Sequence, residues 1–190
     1  DLDACRDLPT RAALALGGLD GLVCCAGIFF KKGSDDTTLD EWRATLDLNL
    51  TTAFLSNRAA IHWFLRGKQP GCILNCGSVL ANSPSPELFG TMAYATAKSA
   101  LVGMTQASAA AYAPHNIRVN LVAPGLTATP MSLRAQTNTT IQDFITRKQP
   151  LDGGRMASAD VSRETLGDDW AAVTEQVEIA AKYAGYIGRQ

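Results

Sequence analysis

Three short apolar runs constrain this chain more than any other feature: "GLVCCAG" at 21–27, "CILNCGS" at 72–78 and "IRVNLVAPG" at 117–125. Each is bounded by glycine or turn residues and has the near-continuous apolar character of a strand buried in a parallel sheet. The segments between them are too long for hairpins. Parallel neighbours need a crossover of about a dozen residues or more, usually a helix. The intervening sequence predicts such helices. Thr38-Leu39-Asp40-Glu41 fits a capping box, and Trp42, Leu46, Leu50, Phe54, Ile61, Phe64 and Leu65 follow at helical spacing. Gly67 reads as the stop and Pro70-Gly71 as a turn. A second long helix is expected from about Thr91 to Ala113, ended by Pro114-His115-Asn116, and a short one over 4–17. The pattern predicts an α/β fold, a partial Rossmann-like, doubly wound parallel sheet with helices on both faces.

Open sheets of this kind bind ligands beyond the carboxyl ends of their strands, where Gly27, Ser78 and Gly125 fall. The stretch "MAYATAKSALVG" at 92–103 opens the helix after the second strand. Tyr94 and Lys98 are four residues apart and so leave the same helix face. A lysine ammonium beside a phenol is expected to lower the tyrosine pKa toward neutrality, which suits proton transfer to or from an alcohol or carbonyl oxygen. Alone, the spacing is better explained by a packed tyrosine and a snorkelling lysine. Asn49, Ser78, Thr127 and Thr129 likewise have ordinary structural readings when taken singly. Their order along the chain gives them weight.

In that order, "LDGLVCCAGI", "LDLNLTTAFL", "GCILNCGSVLA", "YATAK" and "NIRVNLVAPGLTATPM" resemble successive motifs of the short-chain dehydrogenases/reductases. The resemblance covers residues 1 to about 161. It implies NAD or NADP as cofactor and the interconversion of a small-molecule alcohol and ketone by hydride transfer. It implies Asn49, Ser78, Tyr94 and Lys98 as catalytic residues, with Ser78 holding the substrate oxygen and Tyr94 moving the proton. Lys98 would tune Tyr94 and bind the nicotinamide ribose, and Asn49 would order a relay water. The implied cofactor contacts are Asp1, Cys24, Ala26, Gly27, Tyr94, Lys98, Pro124, Gly125, Thr127 and Thr129. Family members usually assemble as homodimers or homotetramers through the helices at 39–66 and 91–113. The small-residue run Ala107–Ala111 would permit close packing there.

Three departures stand beside the match. Cys24-Cys25 replaces the usual asparagine pair, which implies lost amide hydrogen bonds. The glycine-rich T-G-x-x-x-G-x-G loop is absent, so the family's first three strands are expected upstream of Asp1. After "QPLDGGRMASADV" at 149–161 the family pattern stops. The expected organisation is a partial Rossmann-type domain at 1–161 and a helical tail of different origin at 162–190. In that tail Val173, Val177, Ala180, Ala181 and Ala184 form an amphipathic stripe. The tail, at 164–190, is similar to a C-terminal segment of the FAD-dependent enzyme that modifies the wobble uridine of tRNA, with "QVEIAAKYAGYIGRQ" the matching core. Two other readings stay open: a non-catalytic α/β remnant or interaction protein, and a tRNA-associated module.

Charge and cysteine usage narrow the partners. Lys+Arg 17 against Asp+Glu 18 leaves no electrostatic reason to expect nucleic acid or an anionic membrane. The apolar run "GLVCCAGIFF" is too short to span a bilayer. Five cysteines with no C-x-x-C pair, and two histidines, argue against a metal site and a secreted disulfide framework, and for a cytoplasmic protein. Cys72 and Cys76 share a strand face. With no activating base nearby in sequence, they read as core packing rather than as a redox pair.

Overall fold

The computed structural model describes residues 1–128, 132–148 and 157–158. The chain divides into two compact units, Asp1–Ala123 and Pro124–Gln190. The first opens with helix α1, Leu2–Leu16, capped by the Asp1 carboxylate, which accepts from the Asp3 N–H at 2.9 Å and the Ala4 N–H at 3.4 Å. Gly17 ends it in the left-handed conformation (φ 80°), which glycine adopts at no steric cost.

Strand β1, Gly21–Cys24, leads through a loop to α2, Leu39–Leu46. The capping box forms: Glu41 N–H donates to Thr38 Oγ1 at 3.2 Å, and Thr38 N–H donates to Glu41 Oε2 at 3.0 Å. The expected single helix is then interrupted by a π-turn at Asp47–Thr51 before continuing as α3, Thr52–Gly67. Gly67 remains helical. Lys68 takes the left-handed stop (φ 49°), where its N–H and that of Gln69 donate to the carbonyls of Leu65 and Phe64. Strand β2, Gly71–Cys76, is followed by a short 3-10 turn, Val79–Ala81, and a one-turn helix α4, Pro86–Phe89. Helix α5 runs Met92–Tyr112, and strand β3 runs Ile117–Val122.

The three strands form a parallel sheet in the order β1-β2-β3. Leu22 pairs with Ile73 and Cys24 with Asn75, while Ile73 pairs with Val119 and Asn75 with Leu121. Side chains alternate across this sheet. Gly71, Ile73, Asn75, Ile117 and Val119 are buried; Cys72, Leu74 and Cys76 are half-buried, and Arg118 and Asn120 are exposed. The core joins Ala60, Ile61 and Phe64 of α3 to Ile73, Ile117 and Val119 of the sheet, with Ala109 and Tyr112 of α5 against it. Burying side chains of this size contributes about 1.5–3 kcal/mol each. The parallel sheet flanked by helices is thus as expected, but among the described residues α3 and α5 cover the same face. The reason is the handedness of crossovers. Consecutive right-handed crossovers that step the same way across a sheet place both helices on one side. Gly71 lets the Phe64 ring lie against the start of β2, where any Cβ would overlap it.

In the second unit β4, Thr127–Ala128, pairs in parallel with β5, Ala157–Ser158. Helices α6, Leu133–Thr137, and α7, Thr139–Lys148, lie between them in sequence. Thr129 and the tail at 162–190 lie outside the described residues. No helix among those described is long and apolar enough to cross a membrane.

Candidate active site

The carboxyl ends of β1 and β2 gather the residues singled out in the first unit. Gly77 extends the β2–β3 ladder by donating its N–H to Val122 O at 2.7 Å, which fixes the approach of Ser78. Ser78 is extended (φ −165°) and buried, and its Oγ accepts from the Leu80 N–H at 3.2 Å, so it starts the 3-10 turn. Its hydroxyl lies on the Tyr94 side, near enough to favour the Tyr94 phenolate.

Tyr94 is placed by three ties between α5 and the sheet side. Buried Asn75 Nδ2 donates to Thr105 Oγ1 at 3.0 Å, Lys98 Nζ to Cys76 O at 2.6 Å, and Ser99 Oγ to Ala81 O at 2.9 Å. Together they set the helix register on β2, and hence the height of the phenol over the strand end. Phe29 packs edge-on against Tyr94, with ring centroids 6.3 Å apart and planes at 68°. Such a pair adds about 0.5–1.5 kcal/mol beyond area burial. The Phe29 loop is tethered in turn: Lys32 bridges to Thr91, and its Nζ pairs with Glu41 Oε1 at 2.6 Å. Sequence reasoning missed Phe29, since nothing in "GIFFKK" distinguishes the packed ring from its neighbour.

The electrostatics depart from expectation. Burial pushes the Tyr94 pKa up, and the Ser78 hydroxyl pulls it down only in part. Lys98 does not bring it toward neutrality; its ammonium lies 5.5 Å from the centre of the Tyr94 ring and is spent on the Cys76 carbonyl. Burial also lowers the Lys98 pKa. With 3% exposure, Lys98 uses one of its three N–H donors on the described protein and has two to offer a ligand.

Asn49 lies inside the π-turn, buried, and its Nδ2 donates to Ile28 O and Thr45 O, both at 2.8 Å. Turns of this type recur at functional sites because they re-aim one side chain out of helical register. Its Oδ1 is buried without a partner among the described residues. Gly27 faces it closely: a Cβ there would lie 2.5 Å from Asn49 Oδ1 and 3.7 Å from Lys98 Nζ. Gly27, Asn49, Ser78, Tyr94 and Lys98 therefore surround one position.

The remaining expected contacts fall elsewhere. Asp1 is engaged as the α1 cap, and Ala26 is exposed beyond β1. Cys24 does not simply lose the hydrogen bond expected of an asparagine there: its Sγ donates to Asn57 Oδ1 at 3.3 Å, and burial raises its pKa to about 12. Pro124, Gly125 and Thr127 belong to the second unit. There Thr127 is buried, its Oγ1 donates to Gly125 O at 3.3 Å, and its carbonyl accepts from Ser132 Oγ at 2.5 Å. A nicotinamide nucleotide fits the first-unit residues: a side-chain-free approach at Gly27, a buried ammonium with free donors and a hydroxyl pair. No group of three or more His, Cys, Asp or Glu that could hold a metal occurs among the described residues.

Comparisons with known proteins bear on this geometry. A family model described as enoyl-(acyl carrier protein) reductase matches residues 1–167, a little beyond the boundary at 161 expected from sequence. The 3beta-hydroxysteroid dehydrogenase 1 of Eggerthella lenta is 39% identical over 129 residues, 67% of this chain and 48% of that protein. The cyclopentanol dehydrogenase of Comamonas testosteroni is 41% identical over 114 residues, 60% of this chain and 44% of that protein. An Agrobacterium tumefaciens structure with bound NADP superposes with a TM-score of 0.73 at 26% identity, covering 83% of this chain and 61% of that one. The chain thus spans about half the length of the curated relatives it matches. With a family match along most of its length, and dehydrogenase relatives 39% and 41% identical to it, the chain belongs to the short-chain dehydrogenase/reductase family.

Proposed function

We propose that this chain carries the acid–base half of an NAD(P)-dependent oxidoreductase that interconverts a small alcohol and its ketone. The observation that carries this reading is the Ser78–Tyr94 hydroxyl pair at the end of β2, with buried Lys98 one turn further along α5. The names of the hydroxysteroid and cyclopentanol dehydrogenases among its relatives support the substrate class. The NADP-bound neighbour supports the cofactor class, with NAD and NADP both compatible. Bound, the nicotinamide supplies or takes the hydride.

The protein residues do the rest. Ser78 donates to the substrate oxygen and offsets the charge that develops on it. Tyr94, held as the neutral phenol by burial, gives its proton to that oxygen in ketone reduction. In alcohol oxidation the same oxygen must first lose its proton, so this direction gains from alkaline pH. Lys98 offers its two remaining N–H groups to a vicinal diol such as a ribose, and Asn49 Oδ1 accepts from a water placed between it and Lys98. Pro124, Gly125, Thr127 and Thr129 would line the nicotinamide side, and Asp1, Cys24 and Ala26 the adenosine side. A catalytic domain at 1–161 with a separate 162–190 tail, a homodimer or homotetramer and a cytoplasmic setting complete the proposal.

Titrating the full-length protein with NADH and NADPH by fluorescence tests it; saturable binding of one is expected, and binding of neither overturns it. Tyr94→Phe should then lower turnover by about 10²–10⁴-fold while leaving cofactor affinity unchanged. Retained turnover would assign the proton to another group.

A further inference from the structure

The expectation that the cysteines are inert packing rested on Cys72 and Cys76, four residues apart on one strand face. The structure pairs Cys76 differently. The β1–β2 register sets Cys24 beside Asn75 at the end of β1, and continuing it by one residue brings Cys25 alongside Cys76. In-register neighbours on a parallel sheet point to the same face, about 4.7–4.9 Å apart between strands. That separation falls inside the roughly 4.4–6.8 Å window of Cα distances a disulfide spans. The two thiols are near enough to shift each other's titration, and all five cysteines are free. Both lie on the face that α3 and α5 leave uncovered, and both are half-buried rather than sealed. A positive charge absent from the local sequence arrives from α5: the Lys98 ammonium donates to the Cys76 backbone carbonyl at 2.6 Å.

We propose that Cys25 and Cys76 form an oxidation site, with Cys76 the thiol that reacts with a peroxide and Cys25 the thiol that resolves it into a Cys25–Cys76 disulfide. The neighbouring Cys25 thiol and the Lys98 charge favour the Cys76 thiolate against its burial, whereas Cys76 and burial hold Cys25 protonated. Tyr94 is the other titratable group that senses the Cys76 charge. This division of roles matches what the chemistry needs.

The steps balance. The Cys76 thiolate attacks one oxygen of hydrogen peroxide; an S–O bond forms, the O–O bond breaks and hydroxide leaves. The sulfur, oxidised by two electrons, is then a sulfenic acid. Cys25 sulfur attacks it, the S–S bond forms, the S–O bond breaks, and the departing hydroxide takes the Cys25 proton as water. In sum, two thiols and one peroxide give a disulfide and two waters. Cys24 is unsuited to the resolving role because its thiol faces α3 and donates to Asn57. Cys72 lies two pleat repeats from Cys76, opposite Gly21 rather than a thiol.

The test uses the full-length protein, reduced and then treated with hydrogen peroxide at one equivalent per protein. A non-reducing tryptic digest should yield peptide 12–31 joined to peptide 69–98, lighter by two hydrogens than the separate pair, and reversed by dithiothreitol. Cys24→Ala and Cys72→Ala should keep the link. Cys25→Ser should abolish it and leave a dimedone-reactive sulfenic acid on Cys76. A link that persists in Cys76→Ser overturns the proposal. So do unlinked peptides 12–31 and 69–98, with Cys25 and Cys76 both free, in the wild-type protein at a peroxide dose that fully oxidises free glutathione. Neither readout depends on dehydrogenase activity, so the proposal stands or falls apart from the functional reading above.

Discussion

Replacing Gly27 by alanine drives a methyl group into the amide of Asn49. The new Cβ would lie 2.5 Å from Asn49 Oδ1. Ordinary non-bonded carbon contacts lie near 3.5 Å, so the amide must retreat by about 1 Å. It is not a free side-chain tip. Its Nδ2 is held by Ile28 O and Thr45 O, both at 2.8 Å, inside a buried π-turn. A 1 Å shift takes both bonds beyond the roughly 3.2 Å limit of a good N–H···O bond. Each is worth about 1 kcal/mol net, and more where the carbonyl left behind is buried, which gives a loss of about 2–4 kcal/mol. For a domain of this size that is a fall in Tm of roughly 5–15 °C. Urea unfolding followed by circular dichroism measures it. The decisive comparison is the double-mutant cycle with Asn49→Ala. If the amide is what the methyl meets, Gly27→Ala should cost little once Asn49 has been truncated. An equal cost in both backgrounds would refute the reasoning, because the strain would then lie in the backbone.

Phe64→Ala removes a fully buried ring that packs on Gly71 and the sheet; thermal unfolding should show a loss of about 3–5 kcal/mol. Tyr94 should ionise above the ordinary tyrosine value of 10.0, because burial disfavours its phenolate. The wild-type minus Tyr94→Phe difference absorbance near 295 nm checks this, and ionisation well below pH 10 contradicts it. For Glu41 the sign is opposite. Pairing with Lys32 and the Thr38 N–H holds its carboxyl down at about 2, so its contribution to stability is present above the ordinary 4.5 and lost as pH falls toward 2. The urea midpoints of wild type and Glu41→Gln should therefore converge over that interval. A constant gap would show that the ion pair does not set the loop.

What could be read from residue order was what depends on local rules. The Thr38–Glu41 box, the three strands and the helix presenting Tyr94 and Lys98 all follow from spacing and capping chemistry. The π-turn at Asp47–Thr51 does not, since one extra residue in a helical turn leaves the apolar stripe nearly unchanged while rotating Asn49 out of it. The stop at Lys68 rather than Gly67 was equally hidden. Tertiary contacts fixed the rest. Phe29 reaches Tyr94 only because its loop is tied at Lys32, and Cys25 meets Cys76 only through the β1–β2 register. The direction of the Tyr94 shift turned on burial, which the four-residue spacing to Lys98 does not report.

These hidden elements share a physical logic. A parallel sheet satisfies its own backbone, so polar side chains buried at its carboxyl end carry capacity the fold does not need. Asn75 spends its amide N–H on Thr105 to position α5, and Asn49 spends both of its own on backbone carbonyls. Asn57 Nδ2 and Asn75 Oδ1 also lack partners among the described residues, but Asn49 Oδ1, two donors of Lys98 and the hydroxyls of Ser78 and Tyr94 gather at one place. Leaving a buried acceptor unpaired costs about 1–3 kcal/mol. A chain under no demand but stability would relieve that cost with a leucine at 49. That it keeps both the polar amide and the bare glycine means that the strand ends are shaped for a polar occupant rather than for packing.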